Sequence, residues 1–144
     1  MDHFRYQNAE LCCEALSAAA LADRFGTPLY VYSAATIREH VGRLASAFAP
    51  LSPSICYAVK ANGNLHLLKL LASLGCGMDV VSIGELERAF VAGVPTDRIV
   101  FAGVGKGEHE IRAALSPAHS PLRGWNPPDE PGFAARLAAR GPVS

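Results

Sequence analysis

Neither sign of charge is in excess: 13 Lys and Arg stand against 13 Asp and Glu in 144 residues. Nucleic acids and anionic membrane surfaces are gripped by a basic surplus, so neither is an expected partner. Long apolar runs are also missing, and none approaches the roughly 18–20 residues that span a bilayer. The opening MDHFRYQNAE has no apolar core of a secretory signal. A cytoplasmic protein is expected. Cysteine is sparse, at Cys12, Cys13, Cys56 and Cys76, and no Cys-x-x-Cys pair occurs. Half of the residues are hydrophobic, enough to build a core without disulfide staples, so free thiols are expected. The histidines His3, His40, His66, His109 and His119 have no ligand spacing with the cysteines or with each other, and no metal site is expected. Gly-x-Ser-x-Gly is absent.

One glycine-rich stretch is present, Gly103-Val104-Gly105-Lys106-Gly107. It is not a P-loop, because Val100 takes the place of the upstream glycine and Gly107 that of the magnesium-binding hydroxyl. Nor does it match G-x-G-x-x-G. It reads as a tight turn between a strand and a helix.

Residues 15–26 (ALSAAALADRFG) have helix-forming character, with Gly26 as the stop and Pro28 just beyond. PLYVY at 28–32 has the aromatic and β-branched content of a strand. Ser33 is placed to cap a helix over about 34–49, whose apolar positions Ile37, Val41, Leu44, Ala45 and Phe48 recur at three to four residues. From residue 54 the pattern becomes regular. SICYAVK, MDVVS and RIVFAGV alternate with LHLLKLLASLG, IGELERAFVAG and GEHEIRAAL. Strands beginning near 54, 78 and 98, each followed by a short helix, predict βα units around a parallel sheet. After Ala114 the pattern fails in SPAHSPLRGWNPPDEPG, where a fourth unit is due.

Lys60 ends the apolar strand SICYAVK. Ile55, Tyr57 and Val59 alternate with Cys56, Ala58 and Lys60 on opposite faces. Parallel-strand enzymes build their sites at the C-terminal strand ends. A lysine held among apolar groups loses basicity, and a neutral amine condenses with an aldehyde. The same position suits a lysine that simply emerges into solvent, since loops after strands are usually wet. Asp79 falls in the apolar run GMDVVS on the neighbouring strand, where an acid needs a partner. Lys60 is the candidate partner, and an exposed carboxylate at a strand start is the alternative. Ser82-Ile83-Gly84-Glu85 fits a capping box at the start of the following helix.

These segments resemble a known family. Tyr57-Ala58-Val59-Lys60-Ala61-Asn62, then Gly77-Met78-Asp79-Val80-Val81-Ser82-Ile83-Gly84-Glu85-Leu86, then Ala92-Gly93-Val94-Pro95 and the run from Arg98 to Lys106 are similar to diaminopimelate decarboxylases. Those are pyridoxal-phosphate enzymes of the alanine-racemase-like fold. Gly26-Thr27-Pro28-Leu29-Tyr30-Val31-Tyr32 resembles their N-terminal strand. The likeness covers about residues 16–115. It implies an α/β fold: a partial pyridoxal-phosphate-binding TIM barrel, its first βα units, preceded by an N-terminal helix and strand. Residues 1–33 would pack on a β-domain, 34–115 would form the first part of the barrel, and 116–144 would be an irregular tail.

The resemblance further implies that Lys60 is the Schiff-base lysine for pyridoxal 5'-phosphate and that Asp79 lies near that lysine and the cofactor. The implied reaction turns meso-diaminopimelate, a small amino-acid substrate, into L-lysine and carbon dioxide. Ornithine and arginine decarboxylases are sister families, but VVSIGEL and VFAGVGK favour diaminopimelate. The family is homodimeric. Its members run for several hundred residues, and its ring-stacking histidine, phosphate site and β-domain residues have no counterpart here. The chain on its own is therefore expected to be inactive. A non-catalytic remnant or interaction fragment, or a small pyridoxal-phosphate carrier, is the alternative. The tail has the composition that a frameshift or early stop in a GC-rich gene would leave. Translating the other two frames beyond residue 115 would reveal a barrel continuation if so.

Overall fold

The structure, a computed structural model, describes residues 3–115; the tail at 116–144 lies outside the described residues. It opens with three short antiparallel strands: β1 (Phe4–Gln7), β2 (Glu10–Cys13) and β3 (Leu16–Ser17), in that order across a sheet. The residues opposed at the first turn are Gln7 and Glu10, which leaves Asn8 and Ala9 to reverse the chain. Both have positive φ, 50° and 66°, as a two-residue hairpin of the right twist demands. These strands depart from the expected helix over 15–26. Leu16 and Ser17 join the sheet, and helix α1 covers only Ala18–Phe25, capped by the Ser17 hydroxyl accepting from the Ala20 amide.

The expected strand at 28–32 does not form. PLYVY has strand-type residues, but no neighbouring chain among the described residues pairs with it. Tyr30 and Tyr32 are left 85% and 60% exposed. Strand type is a preference for a pleated surface, and it needs that surface to be present.

Helix α2 (Ala34–Phe48) matches its expected span, and Ser33 caps it by accepting from the Thr36 amide at 3.0 Å. The N-terminal sheet is tied to this helix. The Glu14 carboxylate accepts from the Ser33 hydroxyl at 2.8 Å and from the Ala35 amide at 2.9 Å. The His3 amide donates to the Thr36 hydroxyl, and the His3 ring lies 3.2 Å from Glu39. The Ala35 amide, then the Ser33 hydroxyl, hold the Glu14 carboxyl below the usual value of 4.5. A carboxylate whose pKa is lowered in the folded state stabilises it fully above the unfolded value, and the contribution fades as pH falls through the folded one. Protection of the Ala35 amide from hydrogen exchange should therefore hold above about pH 4.5 and drop at more acid pH. Glu14→Gln should remove that acid dependence.

The second sheet is parallel, in the order β4 (Cys56–Ala58), β5 (Gly77–Val80), β6 (Ile99–Phe101). Its register sets Met78 between Tyr57 and Ile99, and Asp79 between Ala58 and Val100. Helices α3 (Leu65–Ser73), α4 (Ile83–Val91) and α5 (Glu108–Leu115) follow the three strands. Asn64 caps α3 through the His66 and Leu67 amides. Gly75 and Gly93 leave α3 and α4 with positive φ, the conformation that ends a helix and that glycine adopts without strain. The core joins Val59, Leu68, Leu71, Met78, Val80 and Leu86, with Tyr57, Ile99 and Phe101 packed against it. One face of the sheet is thus covered by helices. Cys56, Ala58 and Asp79 on the other face are half-buried, and Val100 is 52% exposed.

Candidate active site

The strands are shorter than expected, and this moves Lys60. β4 ends at Ala58, and Val59–Ala61 form a single 3-10 turn. Val59 is 1% exposed and anchors the turn in the core, while Lys60 beside it is exposed. Lys60 therefore occupies the C-terminal end of a parallel strand but stands off the ladder and emerges into solvent, the second of the two placements its sequence position allowed.

Asp79 is the third residue of β5, opposite Ala58 of β4. Its neighbours Met78 and Val80 are fully buried in the core, so by strand alternation Asp79 faces the uncovered side. Its Oδ1 atom is buried and has no hydrogen-bond partner. The expected ion pair with Lys60 is absent: no salt bridge among the described residues joins the two. Once the chain coils after Ala58, Lys60 leaves the register that would have set it beside β5. A buried polar atom without a partner is rare and marks a strained or functional position.

The loop after Lys60 is closely held. The Asn62 side chain accepts from the Asn64 amide at 2.9 Å. Arg88 of α4 reaches across, its Nη1 donating to the Gly63 carbonyl at 2.9 Å. Nothing in the local sequence announces this contact, which joins residues 25 positions apart. The weak signal is an arginine flanking the buried stripe of Leu86 and Ala89.

After β5, Ser82 accepts from the Glu85 amide at 3.3 Å, as a capping box requires. Glu85 departs from that pattern by one residue and accepts from the Val81 amide at 2.8 Å. After β6, Gly103 and Gly105 take positive φ, and the Lys106 amine donates to the Gly103 carbonyl. This is the tight turn expected there.

The four cysteines are free thiols. Burial, and then the neighbouring Cys56, push the Cys76 thiol up; burial and Glu14 do the same to Cys13. Neither is activated as a nucleophile. No cluster of three or more His, Cys, Asp or Glu able to hold a metal occurs among the described residues. No helix among them is long and apolar enough to cross a membrane. An open depression lined by His40, Arg43, Leu44 and Ala47 lies on α2 and does not include Lys60 or Asp79.

Residues 34–120 match the family described as pyridoxal-dependent decarboxylase, pyridoxal binding domain. Over 115 residues the chain is 50% identical to diaminopimelate decarboxylase of Pseudomonas fluorescens, covering 80% of this chain and 28% of that protein. The Vibrio cholerae diaminopimelate decarboxylase is 42% identical over 151 residues, covering 100% of this chain and 36% of its own length. Among solved structures, diaminopimelate decarboxylase from M. jannaschii in complex with L-lysine superposes with a TM-score of 0.75 at 39% identity, covering 79% of this chain and 28% of that one. The chain thus spans about a third of the length of the curated relatives it matches.

Proposed function

Because this chain belongs to the family of pyridoxal-binding domains of pyridoxal-dependent decarboxylases, we propose that it supplies the lysine-bearing part of a decarboxylase acting on meso-diaminopimelate. Its products are L-lysine and carbon dioxide. Residues 34–115 are the first part of a pyridoxal-phosphate-binding barrel, and residues 1–33 pack on a β-domain. The complete enzyme is a cytoplasmic homodimer that takes a small amino acid and needs neither nucleic acid nor a membrane.

One observation carries this reading. An exposed primary amine on a firmly held turn, Lys60, and a carboxylate with an orphaned buried oxygen, Asp79, lie at the same end of adjacent parallel strands. That donor set fits pyridoxal phosphate, which offers an aldehyde to the amine and hydrogen-bond donors to the carboxylate. When bound, the cofactor supplies a carbonyl that exchanges between amines and a ring that takes up the electron pair left by departing carbon dioxide. Lys60 provides the amine that holds it. Asp79 accepts a hydrogen bond on the open face of the sheet and so orients what binds there. The apolar core behind the sheet fixes the strand that carries Asp79 and holds Val59, which anchors the turn that carries Lys60.

The substrate is tested by joining residues 1–115, in register, to the remainder of the Pseudomonas fluorescens enzyme. The chimera should release carbon dioxide from meso-diaminopimelate. Release from L-ornithine or L-arginine in its place would overturn the substrate assignment. A folded chimera that binds pyridoxal phosphate and decarboxylates none of them would overturn the function.

A further inference from the structure

We infer that Arg88 is a positioning residue for Lys60, acting through the Gly63 carbonyl; the inference rests on the reading of Lys60 as the cofactor-holding amine. Lys60 has no side-chain hydrogen bond or ion pair of its own among the described residues, so its location is set by the backbone on either side. Upstream, Val59 is sunk in the core at 1% exposure. Downstream, the chain passes through Ala61, Asn62 and Gly63 before α3 begins at Leu65. The Asn62 and Asn64 side chains brace this stretch only locally. Among the described residues, its one side-chain hydrogen bond from another βα unit is the Arg88 guanidinium on the Gly63 carbonyl.

The packing around this contact is specific. A Cβ built on Gly63 would lie 3.4 Å from Arg88 Cδ and 4.0 Å from Val59 Cγ1. The arginine stem therefore runs over the glycine, close to the residue that anchors Lys60 from the other side. Arg88 forms no ion pair with a carboxylate among the described residues. Its charge-assisted donor goes to a main-chain carbonyl instead. The helix that carries it, α4, directly follows the Asp79 strand. Arg88 thus links the unit that bears the carboxylate to the turn that bears the amine. Fixing an amine before it meets an aldehyde removes orientational freedom that reaction would otherwise have to remove.

The fold contains its own control. Arg98 makes the same kind of bond, its Nη1 donating to the Gly75 carbonyl at 2.6 Å. Gly75 precedes β5, so this second strap lies at the N-terminal end of the sheet, away from Lys60. Loss of either strap should cost stability, but only the first should affect the lysine.

The chain is treated with pyridoxal 5'-phosphate and then borohydride. The amine adds to the aldehyde with loss of water, and hydride reduces the resulting carbon–nitrogen double bond to a stable linkage. Peptide mapping then divides the label among Lys60, Lys69 and Lys106, which are all the lysines of the sequence. Arg88→Met should lower the initial labelling rate of Lys60 relative to Lys69 by about tenfold, and Arg88→Lys should restore part of it. Arg98→Met should leave that ratio unchanged. Amide exchange from Lys60 to Gly63, measured without cofactor, should quicken in Arg88→Met and not in Arg98→Met. An unchanged ratio and unchanged exchange in Arg88→Met would overturn the inference, as would equal effects of the two arginine substitutions. If wild-type Lys60 takes no more label than Lys69, the reading of Lys60 itself fails. The exchange measurement still decides whether Arg88 holds the turn.

Discussion

Lys60→Ala in the chimera is expected to lower carbon dioxide release from meso-diaminopimelate by roughly 10³-fold or more. The size follows from the role: the amine makes and breaks a covalent bond, and no neighbouring group replaces it. Lys60→Arg separates that role from a merely electrostatic one. Arginine keeps the positive charge and a similar reach, but its guanidinium does not deprotonate and so offers no nucleophile. Both substitutions should be equally inactive; substantial activity in Lys60→Arg would mean that charge alone is needed. Neither variant should lose much stability. Lys60 is exposed, and truncation of such a side chain costs within about 0.5 kcal/mol. An unchanged melting curve beside lost activity is the expected pair of results.

Gly77→Ala is expected to destabilise the chain by about 3 kcal/mol or more. Gly77 begins β5, between β4 and the residue leading into β6. A Cβ there would overlap the Arg98 carbonyl oxygen and lie 2.9 Å from Cys56 Sγ. The first obstacle is backbone, so relief requires separating β5 from β6, and no side-chain rotation avoids it. In a domain of this size such a loss lowers the melting temperature by roughly 10–20 °C. Gly42→Ala provides the opposite sign. Gly42 lies within α2, where an added Cβ meets nothing within 4 Å. Alanine should therefore stabilise the helix by about 0.5–1 kcal/mol. Thermal melts of the two variants, taken together, distinguish close strand packing from a general intolerance of change at glycine.

The features that sequence disclosed are those set by near neighbours. Ser33, Asn64 and Ser82 cap α2, α3 and α4 because a hydroxyl or amide two or three residues ahead of an exposed amide needs no tertiary help. Gly93 followed by Pro95 stops α4 for the same local reason. The βα alternation was legible because each strand and helix carries its own apolar signature. Strand position and the motifs around them single out Lys60 and Asp79 as candidates.

What escaped depends on distance or on unusual backbone. The hairpin of β1 and β2 turns on Asn8-Ala9 with both residues at positive φ. Alanine is not a residue that announces such a turn, since its Cβ costs about 1–2 kcal/mol there. PLYVY announced a strand but found no partner to pair with. The strand carrying Lys60 was expected to run straight to the lysine. It coils into a 3-10 turn after Ala58, with Val59 buried in the core. The Arg88 contact joins two βα units, and Asp79 keeps an orphaned oxygen where a lysine contact was expected. Neither could be foreseen from local pattern.

The central claim is that Lys60 is the amine that captures pyridoxal phosphate, and mapping the borohydride-fixed label on the unsubstituted chain tests it most directly. Lys69 is likewise exposed, on α3, whereas the Lys106 amine is engaged with the Gly103 carbonyl at 2.6 Å and lies over the Phe101 ring. Accessibility alone would therefore label Lys60 and Lys69 alike. Label should accumulate on Lys60 well ahead of both other lysines. Label divided evenly between Lys60 and Lys69 would contradict it.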